Sequence, residues 1–454
     1  MKKIRLQPAQ LIVLSFLSVI VLGAILLSLP ISTTDSTSPG LVTSLFTATS
    51  ATCVTGLIVK DTGTYFSQFG KIVILCLIQA GGLGIMTFST MFAILLGRKL
   101  SVSQNITVRS TMGQNWVEGL RGIILYIIIF TFSIEALGAA ALYARWSSTM
   151  GWGTLFTLKR AVFHAVSAFC NAGFSLFSTS IMAFRSDWVV MLIFSLLIVI
   201  GGMGFLVFMD IPKLKFWRKD RALIPSRISL QTKIVLIVTV VLILAGALGV
   251  YLFEGNYALK EMPAAEKAWS CVFTSITPRT AGFNVLPTSH LRPVTLFMLI
   301  MLMFVGASPG STGGGIKTVT LGIIIAGFIS MLFNRDRITL FRRTIPRQTY
   351  RRAAVIVFLG LLIVVTSTFL LSATENMAAR SSHYFLSLLF ESTSAFGTVG
   401  LSTGITPDLT DLGKLILVVT MFVGRVGPLT VALAIAMRKE KITYRYPEGR
   451  LMVG

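Results

Sequence analysis

Charge is scarce in this chain of 454 residues: Asp, Glu, Lys and Arg make up 13%, against 54% hydrophobic residues and a mean hydropathy of +0.81. That balance excludes an ordinary soluble enzyme of the same length and indicates a polytopic membrane protein. Acidic residues are the scarcer sign, with 17 Asp+Glu against 40 Lys+Arg, a net charge of +23. Such an excess would point to nucleic acid if it formed a patch on a soluble domain. Here the basic residues occupy short loops between apolar spans, so membrane topology accounts for them and no nucleic-acid partner is expected. Histidines number three and cysteines four. Cys53, Cys76, Cys170 and Cys271 all lie in apolar segments without metal-ligand spacing, so free thiols are expected. No HExxH or Walker-type motif occurs, and ionisable residues within spans are isolated, so catalysis has no visible foothold.

What the chain does have is one stretch written four times. FTATSATCVTGL (Phe46 to Leu57), FHAVSAFCNAGF (Phe163 to Phe174), VFTSITPRTAGF (Val272 to Phe283) and FESTSAFGTVGL (Phe390 to Leu401) align without gaps on Gly56, Gly173, Gly282 and Gly400. Each reads as a helix of about ten to twelve residues that stops at a tight turn, too short for a hydrocarbon core that needs ~20. Each copy is expected to dip into the membrane and turn back. Glycine takes the positive φ that aims successive carbonyls at a common axis, and four such turns make a ring that replaces the water around an alkali cation. The turns TCVTG, FCNAG, PRTAG and FGTVG share only the glycine, so the contacts are read as main-chain. The candidate filter comprises Cys53, Val54, Thr55 and Gly56; Asn171, Ala172 and Gly173; Thr280, Ala281 and Gly282; and Thr398, Val399 and Gly400. The C-terminal, partly negative ends of the short helices would face the cation.

Apolar segments near 9–30, 70–97, 120–145, 186–209, 229–253, 293–333, 350–373 and 413–437 give eight expected spans, grouped as four copies of span, pore helix, span. The fold class is therefore an all-α polytopic membrane protein, with four parallel repeats around one pseudo-fourfold pore. The expected boundaries are 1–100, 101–220, 221–345 and 346–438, followed by a tail over 439–454. The N-terminal run is too long for a signal h-region and is read as a retained span. Basic clusters alternate with charge-poor connectors: Lys2, Lys3 and Arg5; Arg98, Lys99, Arg109 and Arg121; Lys213, Lys215, Arg218, Lys219 and Arg221; Arg335 to Arg352; and Arg438, Lys439 and Lys441. This places both termini in the cytoplasm and brings the glycine turns in from outside.

The second spans align as well: QAGGLGIMTF, IGGMGFLVF and FVGRVGPLT superpose on Gly81, Gly201 and Gly424. In the third copy the same place reads FVGASPGSTGGGIKT, where five glycines and Pro309 cannot hold a helical ladder. Freed backbone in a membrane is tolerable inside protein or facing water, so the 306–318 segment is placed beneath the filter. The candidate gate comprises Gly306, Ser308, Pro309, Gly310, Ser311, Thr312, Gly313, Gly314, Gly315 and Lys317, together with Arg425, which stands in the fourth copy where the first two have Gly82 and Gly202. A guanidinium at that depth costs ~2.5–3.5 kcal/mol on insertion scales. It needs partners, expected in loop carbonyls and the hydroxyls of Ser308, Ser311 and Thr312, so that Arg425 either gates the path or ties two spans together. Glu135 reads as a packing partner or a charge mate, Lys317 as a gating charge or a snorkelling one. Asn171 and Arg279 either brace their turns from behind or face the ion, with bracing the better reading for Arg279; His164 and Trp152 read as packing residues.

With its four span–pore–span units, one glycine per turn, the TPRTAGFN stretch at Thr277 to Asn284, the PGSTGGGIKT loop at Pro309 to Thr318 and Arg425, nearly the whole chain resembles the Trk/Ktr/HKT superfamily of potassium transporters, and within it the KtrB-type membrane subunits of bacterial Ktr systems. The resemblance implies K+ uptake across the bacterial plasma membrane, stimulated by Na+. It also implies a homodimer with one pore per protomer, and a cytoplasmic RCK ring (KtrA-like) that gates through ATP or ADP bound on that partner. The chain itself shows no Rossmann fingerprint and implies no covalent cofactor. The tail is read as docking at the dimer seam or on a partner, or as a disordered end. One glycine per turn gives fewer stacked carbonyl sites than a tetrameric K+ channel has, so a less selective Na+/K+ path is the alternative. A carrier of organic solutes would need polar side chains converging between inverted repeats, which same-direction repeats disfavour.

Overall fold

The computed structural model describes residues 8–84, 120–210, 228–335, 337–375, 384–428 and 430–431. The expectations on the basic clusters at 2–5, 98–109, 213–221 and 438–441, on the second half of the 70–97 span and on the tail lie outside the described residues.

The described chain is mostly helical. In order it forms α1 (Pro8–Ser28), α2 (Leu41–Thr52), α3 (Thr62–Tyr65), α4 (Gln68–Gly82), α5 (Leu120–Thr149), α6 (Thr154–Phe169), α7 (Trp188–Met203), α8 (Phe205–Asp210), α9 (Leu230–Glu254), α10 (Ala264–Ile276), α11 (Pro293–Phe304), α12 (Thr318–Leu332), α13 (Arg347–Thr374), α14 (Tyr384–Gly397) and α15 (Asp411–Val426). A two-residue β-pair, Thr339–Leu340 with Arg343–Thr344, closes the turn before α13.

Among the described residues three helical stretches are long and apolar enough to cross a membrane: Ile124–Thr149, Leu230–Glu254 and Arg347–Thr374. Only 33%, 28% and 28% of their most apolar windows are buried within the protein. Leu244, Phe358 and Phe369, each at least 64% exposed, stand on their outer faces. Apolar surface of this extent is stable where the surrounding solvent is lipid. The inner faces meet at buried aromatics, among them Phe46, Phe194, Phe273, Phe283, Phe390 and Phe396.

The packing closes on itself. Each short helix lies beside its own long neighbours, α2 with α1 and α4, α6 with α5 and α7, α10 with α9, and α14 with α13 and α15. Between these groups α4 packs on α6, α7 on α10, α11 on α14 and α15 back on α2. The short helices α2, α6, α10 and α14 have 12, 16, 13 and 14 residues. Three exceed the expected ten to twelve, because each begins several residues before the aligned stretch.

Carboxylates at the ends of long helices tie down the next helix. Glu254, the last residue of α9, accepts from Arg292 N (2.9 Å) and Thr295 Oγ1 (2.5 Å) at the start of α11. Glu375, just past α13, accepts from Thr410 N (3.1 Å) and Thr410 Oγ1 (2.7 Å) at the N-cap of α15. Charged acceptors suit helix N-termini. Glu375→Ala strands these donors and is expected to destabilise the purified protein by about 1–3 kcal/mol, read as a lower Tm in detergent; an unchanged Tm would show that the cap contributes nothing.

The second spans depart from expectation. Continuous helices were expected in the first, second and fourth copies, with a break in the third alone. Instead α4, α7 and α15 all stop at the aligned positions Gly84, Gly204 and Gly427, whose φ values are 78°, 81° and 92°. A left-handed residue ends a helix, and glycine takes it without a Cβ clash. At Gly204 the reason is visible: a Cβ there would stand 2.8 Å from the Pro309 carbonyl oxygen, so the helix yields to the loop that crosses it.

Candidate functional site: four turns above a broken helix

The four aligned stretches meet. A Cβ built on Gly56 would lie 3.0 Å from Gly173 Cα, one on Gly173 3.0 Å from Gly282 Cα, one on Gly282 3.2 Å from Gly400 Cα, and one on Gly400 3.0 Å from Gly56 Cα. The contacts run once around and return to their start, and at this spacing no larger residue fits.

Backbone conformation repeats from turn to turn. The residue two before each glycine, Val54, Asn171, Thr280 or Thr398, has φ of 55°, 59°, 71° or 50°. The glycines follow at 92°, 70°, 77° and 89°, while the residues between, Thr55, Ala172, Ala281 and Val399, are not left-handed. Alternating the sign of φ swings successive peptide planes so that their carbonyls share one side. β-Branched residues such as Val54, Thr280 and Thr398 resist a positive φ, and strain of ~1–3 kcal/mol each persists where function requires it.

The amide groups point the other way. Thr55, Ala172, Ala281 and Val399 donate to Ser50, Ser167, Thr277 and Ser394 carbonyls at 2.8, 2.7, 2.9 and 2.9 Å, the last turns of the short helices. Hydroxyls at the same helix ends complete the anchorage. Ser50 Oγ accepts from Gly56 N (3.0 Å) and Ser394 Oγ from Gly400 N (3.1 Å), while Ser167 Oγ and Thr277 Oγ1 donate to Phe174 and Phe283 carbonyls at 2.7 and 2.8 Å. The aligned serine, present in three of the four copies, was a signal in the sequence that attention to the glycine alone passes over. In contrast, the carbonyls of Thr55, Ala172, Ala281 and Val399 accept no hydrogen bond among the described residues. Each abuts the glycine of a neighbouring turn: Val399 with Gly282, Ala281 with Gly173, Ala172 with Gly56 and Thr55 with Gly400. The side chains of Cys53, Val54, Thr55, Asn171, Ala172, Thr280, Ala281, Thr398 and Val399 are all buried in the surrounding protein.

Bracing groups stand behind the turns. The Asn171 amide, oriented so that its nitrogen donates, reaches the carbonyls of Ala168 (3.0 Å) and Ile198 (3.2 Å). Arg279 turns away from the ring and donates through Nη2 to Thr239 Oγ1 on α9 at 3.1 Å. Glu135 on α5 accepts from the Cys170 thiol at 3.5 Å, joining a span to the second turn. His164 packs with Phe177, centroids 4.6 Å apart, and edge-on to Trp146, while its ring nitrogens bond to Arg160 and Ser175. The column of His164 also holds Glu391, a buried acid that sequence reasoning left unremarked.

Beneath the turns the chain leaves α11 at Phe304 and resumes helix at Thr318. The loop is pinned on several sides. Ser308 donates through N (3.1 Å) and Oγ (2.8 Å) to the Gly202 carbonyl and through Oγ to Met203; Thr312 Oγ1 donates to Phe169 (3.3 Å); Gly314 N donates to Thr398 Oγ1 (3.0 Å). Gly306 N bonds to the Ile316 carbonyl at 2.9 Å and closes the loop's base, and Ser311 Oγ turns back to Ser308 at 2.6 Å. Gly310, at φ 75°, lies under Phe205, and Gly313 under Thr280, while Gly315 approaches Gly397.

Arg425, on α15, is buried and donates to two carbonyls, Thr312 in the loop and Gly81 at the end of α4. Of the partners expected in loop carbonyls and in the hydroxyls of Ser308, Ser311 and Thr312, it takes a loop carbonyl, and those hydroxyls donate to other carbonyls. Lys317 does not snorkel: its Nζ folds back onto the Gly313 carbonyl at 2.6 Å. Neither cation has an Asp or Glu within ion-pair distance among the described residues. Two basic side chains, Arg425 from α15 and Lys317 at the end of the loop, are thus held by carbonyls below the four turns.

Free carbonyls converging within an apolar helical body fit a membrane transport protein for cations. The chain belongs to the TrkH family, described as cation transport proteins, whose family model matches residues 6–444. It is 39% identical to the Ktr system potassium uptake protein B of Bacillus subtilis, with 100% of this chain and 98% of the relative aligned. The potassium/sodium uptake protein NtpJ of Enterococcus hirae is 36% identical, aligned over 99% and 98% of the two chains. The Ktr system potassium uptake protein B of Vibrio alginolyticus is 37% identical over 98% and 94%. In fold the chain is similar to the crystal structure of the potassium transporter TrkH from Vibrio parahaemolyticus, with a TM-score of 0.68 at 18% identity, covering 96% of this chain and 87% of that one.

Proposed function

We propose that this protein is the membrane subunit of a potassium uptake system, carrying K+ through the ring of carbonyls at Thr55, Ala172, Ala281 and Val399 and the glycines beside them. The observation that carries this reading is that these four oxygens, inside an apolar body, accept no hydrogen bond among the described residues. Buried carbonyls without a donor are costly, and a dehydrated alkali cation is the partner that relieves all four at once. The identity of the cargo rests on the relatives from Bacillus subtilis and Vibrio alginolyticus, named for potassium uptake. A second reading, a path that also admits Na+, is favoured by the Enterococcus hirae relative, named for potassium and sodium uptake.

In this reading eight spans form four parallel span–pore helix–span repeats about one path in the plasma membrane, with both termini cytoplasmic. The closed packing order of α2, α6, α10 and α14 supports the arrangement. The 306–318 loop and Arg425 form the gate below, with Arg425 and Lys317 setting a positive barrier that cations must pass. The protein acts as a homodimer, is stimulated by Na+, and is controlled by a cytoplasmic RCK-type ring that binds ATP or ADP; the "system" in the relatives' names is the support for a partner. Expression in a bacterium lacking its own K+ uptake is expected to restore growth on low potassium. Failure of a protein that reaches the membrane, with its partner supplied, would overturn the proposal.

A further inference from the structure

Glu391 is fully buried near the start of the aligned stretch in α14, and nothing in the carbonyl ring requires an acid there. Across the four copies its column reads Thr47, His164, Phe273 and Glu391. Thr47 bonds back to its own helix at the Thr43 carbonyl (2.9 Å), and Phe273 is buried among apolar groups. The other two reach over their turns. His164 Nε2 accepts from Leu176 N at 3.3 Å and lies 3.1 Å from Ser175 Oγ, while Nδ1 faces the Arg160 carbonyl at 2.8 Å and so carries the proton. Glu391 Oε1 accepts from Ser402 Oγ (2.5 Å), Thr403 N (3.0 Å) and Thr403 Oγ1 (3.4 Å), and Oε2 from Thr406 Oγ1 (2.8 Å).

The residues received are the same in both cases, the second and third after Gly173 and Gly400. Turns two and four are thus held by one geometric device, and the side chain at turn four is an acid. Its partners are all neutral hydroxyls and an amide, and among the described residues no Lys or Arg lies within ion-pair distance of it. A buried carboxylate without a countercharge is unfavourable. Four donors offset part of that, and a cation held at the ring, where α14 ends, would offset a further part, since both lie in the same low-dielectric body.

We propose that Glu391 is a specificity-determining residue of the fourth turn. Its charge fixes the outer end of that turn through Ser402, Thr403 and Thr406 and, through the field of the nearby protein, raises the affinity of the ring for the cation it selects. The inference rests on the reading of the four turns as a K+ path. It makes the ring two kinds of turn rather than four equal ones.

The test is ion flux into liposomes holding the purified full chain, with K+ and Na+ varied separately. Glu391→Gln keeps the shape and removes the charge; the half-saturating K+ concentration is expected to rise about tenfold, as for loss of hydrogen bonding to a charged group, and the preference for K+ over Na+ to fall. Glu391→Asp should recover part of both. A purely structural role would lower yield, Tm or the maximal flux of both ions alike, leaving half-saturation and preference unaltered, and that result overturns the proposal. Should the Gln variant not fold, Ser402→Ala with Thr406→Val retains the charge and deletes two of its partners; a smaller shift in the same direction is expected, and an unchanged preference is decisive against. A parent chain that carries no K+ removes the transport reading and this inference with it. A parent that carries K+ beside a Gln variant of unaltered preference removes this inference alone.

Discussion

Gly282→Asp is expected to abolish selective K+ uptake. Gly282 sits at φ +77°, and a Cβ there would meet the Val399 carbonyl and lie 3.1 Å from Gly173 Cα and 3.2 Å from Gly400 Cα. These neighbours are backbone, so none can swing aside as a flexible side chain does. The added carboxylate must either push the ring apart or fill it, and it presents a charge where neutral carbonyls stood. Uptake in a K+-deficient strain should fall to the level of cells without the protein, while the variant still reaches the membrane, because the anchoring serine and threonine bonds are untouched. Gly282→Ala is the milder case, with the same clash and no charge, and should retain little K+ preference. Parent-like uptake and selectivity in the Asp variant would mean that the four turns do not form the path.

Arg425→Ala is expected to raise cation flux. For an assumed separation of about 10 Å and an effective dielectric near 20, one unit charge contributes roughly 1.7 kcal/mol to a barrier, on the order of tenfold in rate. The substitution also frees the loop at Thr312 and strands the Thr312 and Gly81 carbonyls, so a lower Tm should accompany the faster flux. Arg425→Lys should fall between, since a single ammonium cannot span both carbonyls as a planar fork does. The measurement is initial K+ flux in liposomes together with a thermal melt. Unaltered kinetics with a lowered Tm would make Arg425 a tie between two helices and nothing more.

Periodicity and the fourfold repeat exposed most of the helical frame before any coordinate was needed. Long apolar runs such as 229–253 and 350–373 are close to α9 and α13, because a helix that faces lipid must be apolar along its whole length. The glycine column located the turns, since a Cβ is barred there by contact across the ring. Other features were hidden for physical reasons. The breaks at Gly84, Gly204 and Gly427 look like tolerated helix glycines in sequence; at Gly204 the stop comes from the third copy's loop crossing there, a contact between distant residues that no local pattern carries. Glu391 was masked by its neighbours, an acid within FESTSAFGTVGL whose partners lie 11 to 15 positions on. Arg425 was conspicuous and a loop carbonyl was expected for it, but which carbonyls, Thr312 and Gly81 at the end of α4, was hidden, because free carbonyls are located only once the backbone is placed.

The four turns differ in side chain and are written by one polypeptide, which has a consequence for how permeation can be tuned. Where identical subunits assemble around an axis, any substitution arrives in every quadrant together. Here a change at Val54, Asn171, Thr280 or Thr398 alters a single quadrant and leaves three intact. The same alteration can therefore be introduced in one, two, three or four doses, and the response of ion preference to dose reports directly whether the quadrants act independently or as one cooperative ring.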